Sequence, residues 1–143
     1  RTAEHVAETV EPLNARATDE MDAALWEKLA VNCAINPTTA LTRLTNGEAV
    51  ENASDVMRAS AEEVERVANE QGVLLDGTPE RAVEVARATD ENESSTLQDV
   101  RAGRRTEIDA LNGYVVERAR ESGTEVPTNE TLVSLVEALT RTK

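Results

Sequence analysis

The sequence predicts an all-α fold, a helical bundle of about six to seven helices. Three observations carry this. Apolar residues recur at helical spacing in one segment after another. Between those segments, Gly, Pro, Ser, Thr and Asp stand where helix ends need them. No two segments alternate apolar and polar residues as paired strands would. With no Phe, one Trp (Trp26) and one Tyr (Tyr114), the core has to be built from Val, Leu, Ala, Ile and Met.

Residues 3–14 read as a helix, with Val6, Val10 and Leu13 on one side, and residues 15–18 fit strand or loop. Asp19 is placed to cap a helix running from about Glu20 to Ile35, with Glu20 and Asp22 in its first turn, where the dipole favours acid. Asn36-Pro37 should interrupt it, because proline lacks an N–H and restricts the residue before it. A short helix should then restart at Pro37 and reach Leu44, and Asn46-Gly47 reads as a turn.

Residues 54–71 form the clearest amphipathic helix. Val56, Met57, Ser60, Ala61, Val64, Val67 and Ala68 share its inner face, Glu62, Glu63 and Glu70 lie off that face, and Gly72 ends the helix. Thr78-Pro79 opens the next helix, which carries Val83 and Val85. Residues 89–96 are polar, with a new helix starting at Ser94 or Ser95 and a break at Gly103. Residues 105–121 read as helical, with Ile108, Leu111, Val115 and Ala119 facing inward and Gly123 as the cap. Pro127-Thr128 starts the last helix, whose inner face is Leu132, Leu135, Val136 and Leu139.

The charge balance excludes several classes of function. With 15 Lys and Arg against 28 Asp and Glu, the net charge is −13. A nucleic-acid partner is therefore not expected, since phosphate binding needs clustered cations. No apolar run approaches the roughly 20 residues of a membrane span, so no membrane partner is expected either. The single cysteine, Cys33, makes neither an internal disulfide nor a multi-Cys zinc site. Together these features predict a cytoplasmic protein with no metal. Acidic residues are spread along the whole chain and Lys occurs only at Lys28 and Lys143, as in proteins of salt-rich cytoplasms, where ionic strength screens self-repulsion.

One stripe departs from ordinary patterning. In LWEKLAVNCAIN, residues 25–36, the apolar side chains surround most of the helix. Yet Lys28, Asn32 and Asn36 stand at i, i+4 and i+8, within an arc of about 80° at 100° per residue. Such a stripe either satisfies neighbouring backbone and water, or lines a cleft that binds a polar ligand. In the second case Lys28 attracts an anion or moves a proton. Asn92, Ser94 and Ser95, in the polar stretch before the fourth helix, are candidates to face it or plain caps. Glu107 is a further candidate, or a first-turn acid that complements a helix dipole.

Two long segments resemble the ketopantoate reductase (2-dehydropantoate 2-reductase) family. They are LWEKLAVNCAINPTTALTRLTNGE at 25–48 and ENESSTLQDVRAGRRTEIDALNGYVVERARESGTEVPTNETL at 91–132, including the Asn112-Gly113 pair. The sequence departs from the family where Thr38 and Thr96 stand in place of the frequent Leu or Met.

The resemblance implies a two-domain, NADPH-dependent enzyme of pantothenate and coenzyme A biosynthesis, with an N-terminal Rossmann domain and a helical C-terminal domain. It also relates the fold to 6-phosphogluconate dehydrogenase-like enzymes. No G-x-G-x-x-G follows a strand here, so residues 1–18 would be a remnant of the Rossmann domain and 19–143 the helical domain. Starting at Arg1 rather than Met, the chain reads as a piece of something longer.

By the same resemblance, Lys28 is the catalytic proton donor, and Asn32, Asn36, Asn92 and Ser95 bind substrate. Glu107 binds cofactor near the ribose and steadies the lysine. The implied partners are ketopantoate, the chain's own Rossmann half and, as an allowed assembly, a second copy. Two alternatives remain: a reductase of another small 2-keto acid, or a non-catalytic helical association module.

Overall fold

The computed structural model describes residues 11–141, with side-chain surroundings over 19–141. Among these residues there are six α-helices and no strand. They are α1 (Glu11–Thr42), α2 (Asn46–Glu70), α3 (Thr78–Ala88), α4 (Ser95–Ala102), α5 (Asn112–Ser122) and α6 (Pro127–Arg141), with one 3₁₀ turn over Ile108–Ala110. The all-α bundle expected from the sequence is the observed fold. No helix among the described residues is long and apolar enough to cross a membrane.

The spine of the bundle is α1, which packs against α2, α3, α4 and α6. Its apolar circumference is used on two sides. Val31, Ala34 and Ile35 join Met57 and Ala61 of α2 and Ala82, Val83 and Ala86 of α3 in one core. Ala30 and Cys33 join Val64, Val67, Val115, Val116, Ala119 and Val126 in another. Small and β-branched side chains fill both cores, as the lack of Phe requires.

Several boundaries differ from expectation. The predicted helix over residues 3–14 lies largely outside the described residues. Residues 15–18 are neither strand nor loop, and Asp19 is not a cap, because α1 runs through them without interruption. The break at Asn36-Pro37 is also absent, since Pro37 sits inside α1.

An interior proline costs about 3 kcal/mol, because its ring crowds the carbonyl four residues back and that carbonyl loses its donor. Here that carbonyl belongs to Cys33, and the side chain of Asn112 donates to it at 3.1 Å. The missing hydrogen bond is replaced from another helix, so α1 continues to Thr42.

Asn46-Gly47 is not a free turn but the first turn of α2. Thr45 and Glu48 form a capping box: Thr45 Oγ1 accepts from Glu48 N at 3.3 Å, and Glu48 Oε1 accepts from Thr45 N at 2.9 Å. The next amides donate across to the loop between α3 and α4, Asn46 N to Asn92 O and Gly47 N to Asp90 O, each at 2.9 Å. A Cβ on Gly47 would collide with the carboxylate of Asp90, which would have to swing aside to admit it. A kink at Ala53 divides α2, and its longer part begins where the sequence placed a helix start.

The predicted starts at Thr78, Ser94/Ser95 and Pro127 and the ends at Gly72, Gly103 and Gly123 agree with the structure to within a residue or two. Residues 105–111 are not one helix with α5. Leu111 has ψ −96°, which breaks the spiral and lets Asn112 enter the core at the start of α5. Three side chains also differ from their expected faces. Val56 and Leu135 are exposed, because α2 and α6 leave an open apolar groove of about 340 Å³ between them and α1. Glu63, expected on the outer face, is buried and accepts from Thr128 N, Asn129 N and Asn129 Nδ2 at 2.8–3.0 Å.

Candidate active site

The Lys28–Asn32–Asn36 stripe lies along α1, and eight residues at 1.5 Å each make it about 12 Å long. Its burial is graded. Asn36 is buried, Asn32 half-buried and Lys28 exposed. The sequence places Lys28 on a helix that is apolar over most of its circumference, yet Lys28 is exposed, so no other element among the described residues buries it. The cleft expected there is therefore not closed by the described residues of this chain. Among the described residues, Lys28 has no ion-pair or hydrogen-bond partner, which leaves its ammonium available to a ligand.

The closed end of the stripe meets α4. Asn36 Nδ2 donates to Ser95 Oγ at 3.4 Å, joining two predicted site residues 59 positions apart. Ser94 caps α4 by accepting from Leu97 N at 3.1 Å, so Ser95 is the first helical residue. Ser94 Oγ also lies 2.6 Å from Thr39 Oγ1, one turn beyond Asn36 on α1. Thr39 was not singled out by the sequence, because a threonine inside a helix carries no signal of its own. Ser95 is exposed, beside first-turn amides that have no partner inside their helix. A carboxylate fits this position, since the helix N-terminus is partially positive.

Asn92 is exposed and is held through its backbone: its carbonyl accepts from Asn46 N and its amide donates to Thr89 O at 2.8 Å. That fixes the loop leading into Ser94 and Ser95. Glu107 is exposed just before the 3₁₀ turn, and its carbonyl accepts from Ala110 N and Leu111 N. Its carboxylate has no partner among the described residues and no ion pair joins it to Lys28, so it is available to a ligand hydroxyl. Cys33 is buried, and desolvation pushes its thiol far above the ordinary range, so it is no nucleophile. Among the described residues no group of His, Cys, Asp and Glu is arranged to hold a metal ion.

A second polar cluster lies inside the bundle, where the sequence put only Ser60 among otherwise apolar faces. Asn129 Oδ1 accepts from Ser60 Oγ at 2.9 Å and from Asn112 Nδ2 at 2.7 Å. Asn129 Nδ2 donates to Ser60 O and to Glu63 Oε1. The Asn112-Gly113 pair was visible in the sequence, but nothing local marks Asn129 or Glu63 as its companions.

All of these residues fall within 20–140, the span matched by the family model described as ketopantoate reductase PanE/ApbA C terminal. The chain belongs to the ketopantoate reductase family. It is 41% identical over 138 residues to the 2-dehydropantoate 2-reductase of Archaeoglobus fulgidus, covering 94% of this chain and 47% of that one. It is 45% identical over 116 residues to the 2-dehydropantoate 2-reductase of Halobacterium salinarum, covering 79% and 38%.

Among solved structures, the PanE/ApbA family ketopantoate reductase of Ralstonia eutropha JMP134 superposes with a TM-score of 0.78 at 39% identity, over 84% of this chain and 41% of that one. The chain thus spans about half the length or less of these ketopantoate reductases, and corresponds to their helical C-terminal part.

Proposed function

We propose that this chain is the substrate-binding and catalytic half of an NADPH-dependent reductase that converts 2-dehydropantoate to pantoate, on the route to pantothenate and coenzyme A. The observation that carries the reading is the junction of the Lys28–Asn32–Asn36 stripe with Ser95 at the start of α4. A 2-keto acid presents a carboxylate next to a ketone. Ser95 and the first amides of α4 hold the carboxylate. Asn36 and Asn32 hydrogen-bond the ketone and hydroxyl region, and Asn92 borders the same site. The Lys28 ammonium stabilises the negative charge that develops on the ketone oxygen and then supplies its proton. Arg cannot release that proton at working pH, whereas Lys can.

Bound NADPH supplies the hydride in this chemistry. The exposed carboxylate of Glu107 is suited to accept hydrogen bonds from ribose hydroxyls and to steady Lys28 in the closed enzyme. The rest of the cofactor site belongs, in this reading, to an N-terminal Rossmann half of which residues 1–18 are the end. Closure of that half over the exposed Lys28 completes the cleft. A second copy of the chain is the further partner, and the enzyme works in the cytoplasm.

The test is reduction of ketopantoate by the full-length protein, followed as NADPH oxidation. The full-length protein should turn over, and the 143-residue chain alone should not. Turnover by the isolated chain would refute the assignment of the cofactor site to the other half. A full-length protein inactive on ketopantoate but active on another small 2-keto acid would keep the mechanism and change the substrate.

The same reading includes a salt-adapted origin, supported by 28 acidic residues against two lysines. Salt screens repulsion among the acids, so the melting temperature should rise between low and molar KCl. A flat or falling melting temperature would mean that the acidic surface is not a salt adaptation.

A further inference from the structure

Pro37 divides the site. Lys28 and Asn32 lie nine and five residues before it, whereas the contacts to α4 are made by Asn36, immediately before it, and Thr39, just beyond it. Sharp helix kinks, of more than about 20°, occur mainly at proline and at the few other places where the i→i−4 ladder is broken. A bend of about 20° near Asn36 would swing a point 12 Å away by roughly 4 Å. The carboxylate anchor and the proton donor would then lose their mutual register.

Asn112 sits at this hinge. One N–H of its side chain goes to Cys33 O at 3.1 Å, the carbonyl that Pro37 deprives of a donor. The other goes to Asn129 Oδ1 at 2.7 Å. Its own Oδ1 is buried without a partner, so the amide is oriented by its two donors alone. Asn129 is in turn held by Ser60 and Glu63 of α2.

We propose that Asn112 is a positioning residue for the reaction: its side-chain amide replaces the backbone N–H that Pro37 lacks and keeps Lys28 and Asn32 in register with Asn36 and Ser95. This rests on the catalytic reading of the stripe.

The experiment is a double-mutant cycle in the full-length protein, with NADPH and ketopantoate as probes and Lys28→Ala as a control. Asn112→Ala should lower kcat by about 10- to 100-fold, as expected when reacting groups move by about 1 Å or more. Pro37→Ala should stay within about three-fold of the unsubstituted enzyme, because the new alanine brings its own backbone N–H to Cys33 O. The double variant should recover to within about three-fold of Pro37→Ala. A purely structural Asn112 would not be rescued this way, since Asn129 still lacks its donor in the double variant.

A double variant no more active than Asn112→Ala overturns the inference while leaving the catalytic reading intact, provided that Lys28→Ala is inactive. A fully active Lys28→Ala overturns the catalytic reading and this inference with it. Should Asn112→Ala fail to fold, hydrogen exchange in the unsubstituted protein decides. The Asn112 side-chain amide protons should exchange at least about 100-fold more slowly than free amide, as doubly bonded buried donors do. Rapid exchange overturns the inference.

Discussion

Replacing Lys28 with Ala in the full-length protein should lower turnover by at least about 10²- to 10⁴-fold, the range typical of losing a positioned general acid. Stability should change by no more than about 0.5 kcal/mol, because Lys28 is exposed and Ala is the better helix former. Lys28→Arg separates charge from proton transfer. It keeps a cation at the site but does not release a proton, so it should remain far below the unsubstituted enzyme. Melting temperature and kcat measured on the same proteins decide the matter. An active but destabilised Lys28→Ala would show that the stripe is structural. An active Lys28→Arg would show that charge alone suffices and that the proton comes from elsewhere.

Most of the helices were legible because their ends are written locally. Ser94 before Leu97, Pro127 after a glycine-containing loop, and Gly103 and Gly123 at positive φ signal through residues a few positions apart. Two of the misreadings share one physical cause, which is a partner far away in sequence. Pro37 looks like a break until Asn112, 79 positions beyond Cys33, supplies the donor for the Cys33 carbonyl. Glu63 looks like a surface acid until the start of α6 is placed over it. A helical wheel gives the faces of a helix but not which of them another helix covers. For that reason Val56 and Leu135 were placed inside, although both are exposed.

The candidate site divides in the same way. The stripe could be read directly, because residues four apart on a helix share a side regardless of context. The placement of Ser95 against Asn36 needed the fold, since it depends on how the loop between α3 and α4 is tied to the start of α2. The exposure of Lys28 needed the fold as well. Only the packing shows that α1 is covered toward Asn36 and open toward Lys28.

The largest effect on stability should come from Glu63. Replacing Glu63 with Ala should cost about 3 kcal/mol, because it removes a buried acceptor of three hydrogen bonds, each charge-assisted. At about 4 °C per kcal/mol for a domain of this size, the melting temperature should fall by about 10 °C or more. The size of the effect follows from where the carboxylate sits. α6 begins at Pro127, which has no N–H, and the residue before it, Val126, has no side-chain acceptor. The amides of Thr128 and Asn129, which an ordinary cap residue would satisfy, are taken by Glu63 from a different helix. Glu63 therefore caps α6, favours its dipole and orients Asn129 in a single contact set. Glu63→Gln keeps the volume but turns a donor toward the Thr128 amide, so it should lose about half as much. The exposed Arg58–Glu80 pair is the control, because Glu80→Ala should shift stability by less than about 0.5 kcal/mol. A Glu63→Ala protein as stable as Glu80→Ala would mean that the α6 amides find water instead. In that case Asn129, and Asn112 beyond it, would not be held by this carboxylate.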